Sequence, residues 1–138
     1  MATDYSKDFN FITDRLAIGC LASRATPGFV AVVSVVTVEG RHRGRPWSAD
    51  LDFYLDDATA FIADHIAKGC VLVHCGAGIS RSAAVVIAYL CRYAGMSYAK
   101  ALTFVKAKRP QVAPADVFKE AIERWLGPNK LATSGLRQ

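Results

Sequence analysis

The stretch VLVHCGAGISRS, residues 71–82, decides the fold and the chemistry of this chain. Its first four residues, three of them apolar, are typical of a short strand that is buried on both faces. Residues 81–94 are apolar nearly all round, which predicts a central, buried helix. A tight loop containing Gly76 and Gly78 joins the two elements. The sequence therefore predicts a strand, a glycine-bearing loop and a helix in direct succession.

A loop of this kind predicts an anion site. Its backbone N–H groups can turn inward to form a concave cradle. The N-terminus of the following helix adds unpaired donors and a dipole of roughly +0.5 charge. Arg81 supplies a planar guanidinium that can hold two phosphate oxygens at once, which Lys cannot do. We therefore expect this loop to bind phosphate.

Cys75 lies at the base of the predicted cradle. The field that attracts phosphate also favours the thiolate, so its pKa should fall from ~8.5 to roughly 3.5–7.5. A thiolate beneath a bound phosphoryl group is an in-line nucleophile, and Ser82 is placed to donate a hydrogen bond to the departing sulfur. The predicted chemistry is phosphoryl transfer to cysteine followed by hydrolysis.

The remaining pattern predicts an α/β fold in which helices flank a central, mostly parallel sheet. Residues 10–19 resemble two short strands around a turn, and the Val-rich residues 29–38 predict a strand buried on both faces. Ser48 is a plausible N-cap for a helix that ends at Gly69, and Ser97 for one that stops before Pro110. Residues 115–126 predict a last amphipathic helix.

Length and composition indicate one domain, over residues 1–126, with a frayed tail at 127–138. The 138 residues are 52% hydrophobic and 21% charged, which excludes disorder for most of the chain, and no apolar run is long enough to span a membrane. The polar start, MATDYSKDFN, predicts no signal peptide. The four cysteines show no metal-ligand spacing, and together these features favour a reducing cytoplasm. The net charge of +5 suggests polyanionic or acidic partners, and composition alone does not distinguish nucleic acid from phosphorylated protein.

The Cys-x5-Arg loop preceded by His resembles the signature of cysteine-dependent protein tyrosine phosphatases, and VHCGAGISRS is most similar to their dual-specificity branch. FITDRLAIG, ATAFIADHIAKGCVLVHC and AYLCRYAGMSYAKALTFVKAKRP resemble other parts of that fold. The resemblance implies that Cys75 is the nucleophile, Arg81 the phosphate clamp and Ser82 the hydroxyl that assists thiolate departure. It implies no metal and no organic cofactor. Substrate would be bound by His74, which also tunes the thiolate, and by Gly76, Ala77, Gly78, Ile79, Ser80 and Arg81.

The general acid of that family is the weak point of the resemblance, because the region where it usually lies has no acid and looks about ten residues short. Asp50 is our tentative choice, although compensation of a helix dipole explains it equally well. Asp52 and the pair Asp56-Asp57 are the alternatives, and the pair is better explained as part of a solvated helix face.

Two functions remain in competition. The first is a protein phosphatase that acts on phosphotyrosine, and on phosphoserine and phosphothreonine if its pocket is shallow. The second is a phosphatase-like module that binds phosphoproteins with weak turnover. The loop carries no Lys to meet a lipid headgroup, and no aromatic-basic pattern suggests nucleic acid. We therefore expect a phosphorylated protein as partner, with no nucleic acid or membrane, and leave the oligomeric state open. The basic stretch at residues 41–45 is expected either to flank the site or to form a solvated turn.

Overall fold

A computed structural model describes residues 7–35, 41–42 and 45–127, and for 41–42 and 45–53 it describes the backbone alone. The strands are β1 (Phe9–Phe11), β2 (Leu16–Gly19), β3 (Phe29–Ser34), β4 (Arg41–His42), β5 (Arg45–Pro46) and β6 (Cys70–His74). The helices are α1 (Trp47–Ile66), α2 (Arg81–Tyr93), α3 (Tyr98–Lys108) and α4 (Asp116–Leu126), with a short 3-10 helix at Leu21–Ala25.

A four-stranded sheet in the order β1-β2-β6-β3 forms the centre of the fold. β6 pairs in parallel with both β2 and β3, whereas β1 pairs antiparallel with β2, so the prediction of a mostly parallel sheet is confirmed. His74, the last residue of β6, is in register with Gly19 on one side and Ser34 on the other. Three parallel strands therefore end together where the predicted loop begins.

The elements on either side of that loop are deeply buried. Val71, Leu72 and Val73 are inaccessible to solvent, as expected for a strand covered on both faces. In α2 nearly every residue from Ser82 to Cys91 is buried, which confirms the prediction of a central helix. The loop is thus mounted between two rigid elements of the core.

The prediction that residues 29–38 are buried on both faces is wrong for the part that the structure describes. β3 lies at an edge of the sheet, and its burial alternates along the strand. Val33 is buried, whereas Val30 is 52% and Val32 36% exposed. A run of valines fits a pleated strand on either face, so composition did not reveal that only one face packs against the core.

The helices lie where the sequence predicts them, with small differences at their ends. Ser97 caps α3, as predicted, by accepting a hydrogen bond from the Lys100 N–H at 3.2 Å. α1 begins at Trp47, so Ser48 lies inside the helix rather than at its cap. Arg41 and His42 of the basic stretch pair with Pro46 and Arg45 in the small antiparallel ladder β4-β5. The predicted tail lies outside the described residues beyond Gly127. No helix in the described part of the chain is long and apolar enough to cross a membrane.

Candidate active site

Cys75 follows β6 directly and lies at the bottom of the loop that leads into α2. Its side chain is 3% exposed. The Ser82 hydroxyl lies 3.2 Å from the sulfur, and the Gly78 N–H donates to the sulfur at 3.2 Å. With the thiol ionised, the hydroxyl is the donor. The sequence placed these residues together correctly, because strand, loop and helix are contiguous.

The pKa of Cys75 lies below that of an ordinary thiol. Burial is the largest single influence and by itself raises the pKa, because a charged sulfur loses its hydration. Hydrogen bonds from the Ser82 hydroxyl and from the backbone N–H groups of Ser82, Gly78 and Ile79 together outweigh it. The thiolate is therefore stabilised by four aimed donors and not by contact with water.

His74 packs beneath the nucleophile and is 1% exposed. Burial lowers its pKa, against a hydrogen bond to the Cys75 carbonyl that raises it, while the charge of Arg24 lowers it further. A neutral ring fits both contacts: Nδ1–H can donate to the Cys75 carbonyl at 3.4 Å, and Nε2 can accept from the Ser34 hydroxyl at 2.7 Å. His74 thus fixes the main chain at Cys75 and links it to the end of β3.

Gly78 is required by the shape of the loop. Its φ is +70°, in the left-handed region that favours glycine. A Cβ at this position would lie 2.5 Å from the Gly19 carbonyl oxygen and 2.8 Å from the Arg109 guanidinium. The loop therefore approaches the end of β2 too closely for any side chain.

Arg109 contacts the phosphate loop, and the sequence analysis did not single it out. It follows α3 and is completely buried. Its Nε donates to the Gly78 carbonyl at 2.8 Å and its terminal nitrogen to the Ala77 carbonyl at 3.1 Å. The remaining nitrogen donates to Asp8 at 3.0 Å and to Asn10 at 2.7 Å. One guanidinium thus joins the loop to the N-terminal segment.

The carbonyls that accept from Arg109 belong to the same peptide groups whose N–H donates to the Cys75 sulfur. In a trans peptide the C=O and the next N–H point in opposite directions. Holding the Ala77 carbonyl aims the Gly78 N–H at Cys75, and holding the Gly78 carbonyl aims the Ile79 N–H there. In the sequence, this arginine stands in KRP at a helix end, where a solvated side chain is the ordinary expectation.

Other contacts fix the rest of the loop. The Leu21 N–H donates to the Gly76 carbonyl at 3.0 Å, and the Ala113 N–H donates to the Ile79 carbonyl at 2.8 Å. The Ser80 hydroxyl accepts from the Ala115 N–H at 3.1 Å. Arg81 opens α2, and its guanidinium lies 3.9 Å from where a Cβ on Gly76 would stand. The loop is anchored by segments before β3 and after α3, far from it in sequence.

The candidate acids all lie in α1. Asp50 and Asp52 lie in α1, but their side chains are outside the described residues. Asp56 accepts from Arg92 at 2.8 Å and from the Trp125 indole at 2.9 Å, so it ties α1 to α2 and α4. The basic side chains of residues 41–45 are also outside the described part.

The other three cysteines lie in surroundings that differ from those of Cys75. All four are free thiols. Cys20 and Cys91 are buried, and Cys70 is half-buried at the start of β6. Burial, with a smaller effect of Glu123, raises the pKa of Cys91 to about 11, opposite in direction to Cys75.

Comparison with known proteins connects this geometry to a family. The chain is 48% identical over 83 residues to the putative tyrosine phosphatase 123R of Invertebrate iridescent virus 6, covering 57% of this chain and 58% of that protein. It is 44% identical over 85 residues to human dual specificity protein phosphatase 7, covering 59% of this chain and 20% of that protein. The chain spans less than two thirds of the length of these relatives.

Solved structures agree with the sequence relatives. Human DUSP28 superposes with a TM-score of 0.74 at 26% identity, covering 90% of this chain and 96% of that one. The human tyrosine phosphatase-like serine/threonine/tyrosine-interacting protein shares the fold, with a TM-score of 0.75 at 22% identity. The superposition covers 86% of this chain and 95% of that one. The family pattern described as "Dual specificity phosphatase, catalytic domain" matches residues 36–126. The chain therefore belongs to the dual-specificity phosphatase catalytic domain family.

Proposed function

We propose that this chain is a protein phosphatase that hydrolyses phosphotyrosine, with phosphoserine and phosphothreonine as further substrates, through a cysteinyl-phosphate intermediate. The observation that carries the proposal is the environment of Cys75. Its buried sulfur faces the Ser82 hydroxyl and the Gly78 N–H, each at 3.2 Å, and its pKa is lowered. A stabilised thiolate at the base of a ring of N–H donors suits attack on a bound phosphoryl group.

In the first step, the Cys75 thiolate attacks phosphorus, an S–P bond forms and the bond to the leaving oxygen breaks. The N–H groups of the loop and Arg81 would bind the non-bridging oxygens, whose charge a preorganised set of donors stabilises. In the second step, water attacks phosphorus and the S–P bond breaks, which releases inorganic phosphate. Ser82 would then donate to the departing thiolate, which is restored for the next turnover.

Cys75→Ser tests this mechanism with p-nitrophenyl phosphate as substrate. We expect the variant to lose turnover but to keep affinity for a phosphate analogue, because the cradle remains. Cys70→Ser makes the same chemical change at the far end of β6 and should retain activity. Near wild-type hydrolysis by Cys75→Ser would contradict the cysteinyl-phosphate mechanism.

We further propose Asp50 as the general acid that protonates the leaving oxygen, a role that typically contributes 10²–10⁴-fold. Asp52 is two positions further on, about 200° around α1, so the two residues occupy different faces of the helix. Asp50→Asn should slow an aryl phosphate with a poor leaving group far more than p-nitrophenyl phosphate, with Asp52→Asn as the control. Equal effects of Asp50→Asn on both substrates would exclude this role.

The alternative of a binding module with weak turnover is less well supported. Cys75, Arg81 and Ser82 are all present, and the Ser82 hydroxyl and the Gly78 N–H both face the sulfur. We place the enzyme in the cytoplasm, where a reducing environment keeps such a thiolate active. Absence of turnover of p-nitrophenyl phosphate, which needs little help from an acid, would restore the alternative.

A further inference from the structure

A cavity of about 700 Å³ lies against the outer rim of the phosphate loop, and the proposed reaction does not use it. Gly76, Ala77 and Ile79 form one wall, and all three are exposed at the loop surface. The 3-10 helix forms the opposite wall through Leu21, Ala22, Arg24 and Ala25. The cavity therefore lies beside the place where a substrate phosphate would bind, within reach of residues that flank the phosphorylated one.

The cavity is fixed in position relative to the nucleophile. The Leu21 N–H donates to the Gly76 carbonyl at 3.0 Å, which ties the 3-10 helix to the loop one residue after Cys75. The buried Ser23 hydroxyl donates to the Cys20 carbonyl at 2.8 Å and holds the start of the same helix. A group bound in the cavity would lie at a set distance from the phosphate.

The lining combines an apolar surface with a single positive charge. Leu21 and Ile79 are 42% and 36% exposed, so both offer apolar area at the mouth. Arg24 is the one cation among the described residues that line the cavity, and it makes no ion pair with any described carboxylate. The other charged residue, Asp8, is already paired with Arg109 at 3.0 Å. The field in the cavity is thus positive.

An apolar wall beside an unpaired guanidinium suits one kind of side chain, an acid on an aliphatic stem. The two methylenes of Glu can cover Leu21 or Ile79 while its carboxylate meets Arg24. Arg24 lies close enough to the site for its charge to lower the pKa of His74. A carboxylate bound there would therefore be near the reacting phosphate.

We infer that this cavity is a substrate subsite in which Arg24 binds the carboxylate of a glutamate that flanks the phosphorylated residue. The inference rests on the proposed function, since it names the substrate class of the same site. It differs from recruitment by the basic residues at 41–45, because it assigns the selectivity to one arginine in a defined cavity. The preferred substrate is an acidic phosphopeptide.

The test compares phosphotyrosine peptides that carry Glu or Gln at each of the three positions on either side, one position at a time. Glu and Gln have the same shape, so their ratio of kcat/KM reports charge alone. We expect at least one position at which Glu is favoured about two- to fivefold, the range of a solvent-accessible ion pair, with the advantage lost as salt is raised. At that position Arg24→Gln should bring the ratio to about one.

Arg124→Gln removes the same charge from an exposed site on α4 and should keep the wild-type ratio. Arg24→Glu should favour Lys over Gln at the same position. The inference is overturned if no position favours Glu, or if the preference survives Arg24→Gln. If the wild-type chain hydrolyses no phosphate ester, the proposed function fails, and the same ratio is then measured as peptide affinity by fluorescence anisotropy. The two failures are therefore distinguishable.

Discussion

Replacing Arg109 with Met should impair the nucleophile from the far side of the phosphate loop. Methionine keeps much of the aliphatic stem but removes all four hydrogen bonds of the guanidinium. The Gly78 carbonyl, which is buried with its donor, then lacks a partner, while Ala77, Asp8 and Asn10 can bind water instead. One buried acceptor without a donor costs about 1–3 kcal/mol, and the lost ion pair of partly exposed Asp8 adds little. We expect a loss of about 1–4 kcal/mol in the free energy of unfolding, measured by urea unfolding.

Loss of stability alone would not identify Arg109 as a positioning residue, so the decisive measurement is the pKa of Cys75. Without Arg109 the Gly78 and Ile79 N–H groups are no longer held toward the sulfur. The effect of burial, which raises the pKa of Cys75, is then opposed by fewer hydrogen bonds. The pH dependence of iodoacetamide alkylation should shift upward, and kcat/KM should fall at least about tenfold. Removal of one preorganised hydrogen-bond donor lowers kcat about 10²–10³-fold, and we expect misaligned donors to cost part of that factor.

Two further variants sharpen this experiment. Lys106→Met removes a hydrogen bond of 2.9 Å to the Val112 carbonyl, in the same α3–α4 connection, without touching the loop. It should loosen the connection and leave the pKa of Cys75 unchanged. Arg109→Lys keeps the charge but cannot span both loop carbonyls, so its activity should fall as well. If Arg109→Met unfolds more easily yet keeps the alkylation profile and kcat, the positioning role is refuted.

Three other predictions follow from the same site. Arg81→Lys keeps the charge but loses the bidentate guanidinium, so kcat/KM should fall at least about tenfold, and undiminished activity would reduce Arg81 to electrostatic steering. Gly78→Ala should lower the free energy of unfolding in urea more than Gly95→Ala does. Both glycines have φ +70°, but only at Gly78 would the added Cβ contact other atoms. Equal losses would contradict the close approach of the loop to β2 and Arg109. Iodoacetamide near pH 7 should label Cys75 before Cys91, whose pKa of about 11 keeps it a thiol, and peptide mapping of the label checks the order.

What the sequence predicted well is what lies close together along the chain. Residues 71–82 contain the strand, the nucleophile, the glycines and the helix start, so their spacing alone places Cys75 near Ser82. The cap at Ser97 and the burial of α2 follow from the same local rules. These features depend on helical and strand periodicity, which a sequence displays directly.

What the sequence missed depends on contacts between distant segments. Arg109 bonds the loop some thirty residues before it and Asp8 about a hundred residues away, and no spacing rule connects them. Arg92 looks like an ordinary helix residue, yet it lies 3.8 Å from the centre of the Trp125 ring and also pairs with Asp56. The edge position of β3 has the same origin, since strand order is set by the whole sheet.

Cys75 and Cys91 show why burial alone does not decide the reactivity of a thiol. They are 3% and 7% exposed, and burial is the largest influence on the pKa of each, raising it in both. For Cys91, inside α2, the backbone N–H groups nearby are used by the helix, and the carboxylate of Glu123 adds to the rise. Cys75 precedes the helix, where N–H groups are unpaired and a loop can aim them at one sulfur. The ionised thiol therefore depends on the direction of a few peptide groups, which the Arg109 guanidinium holds from behind.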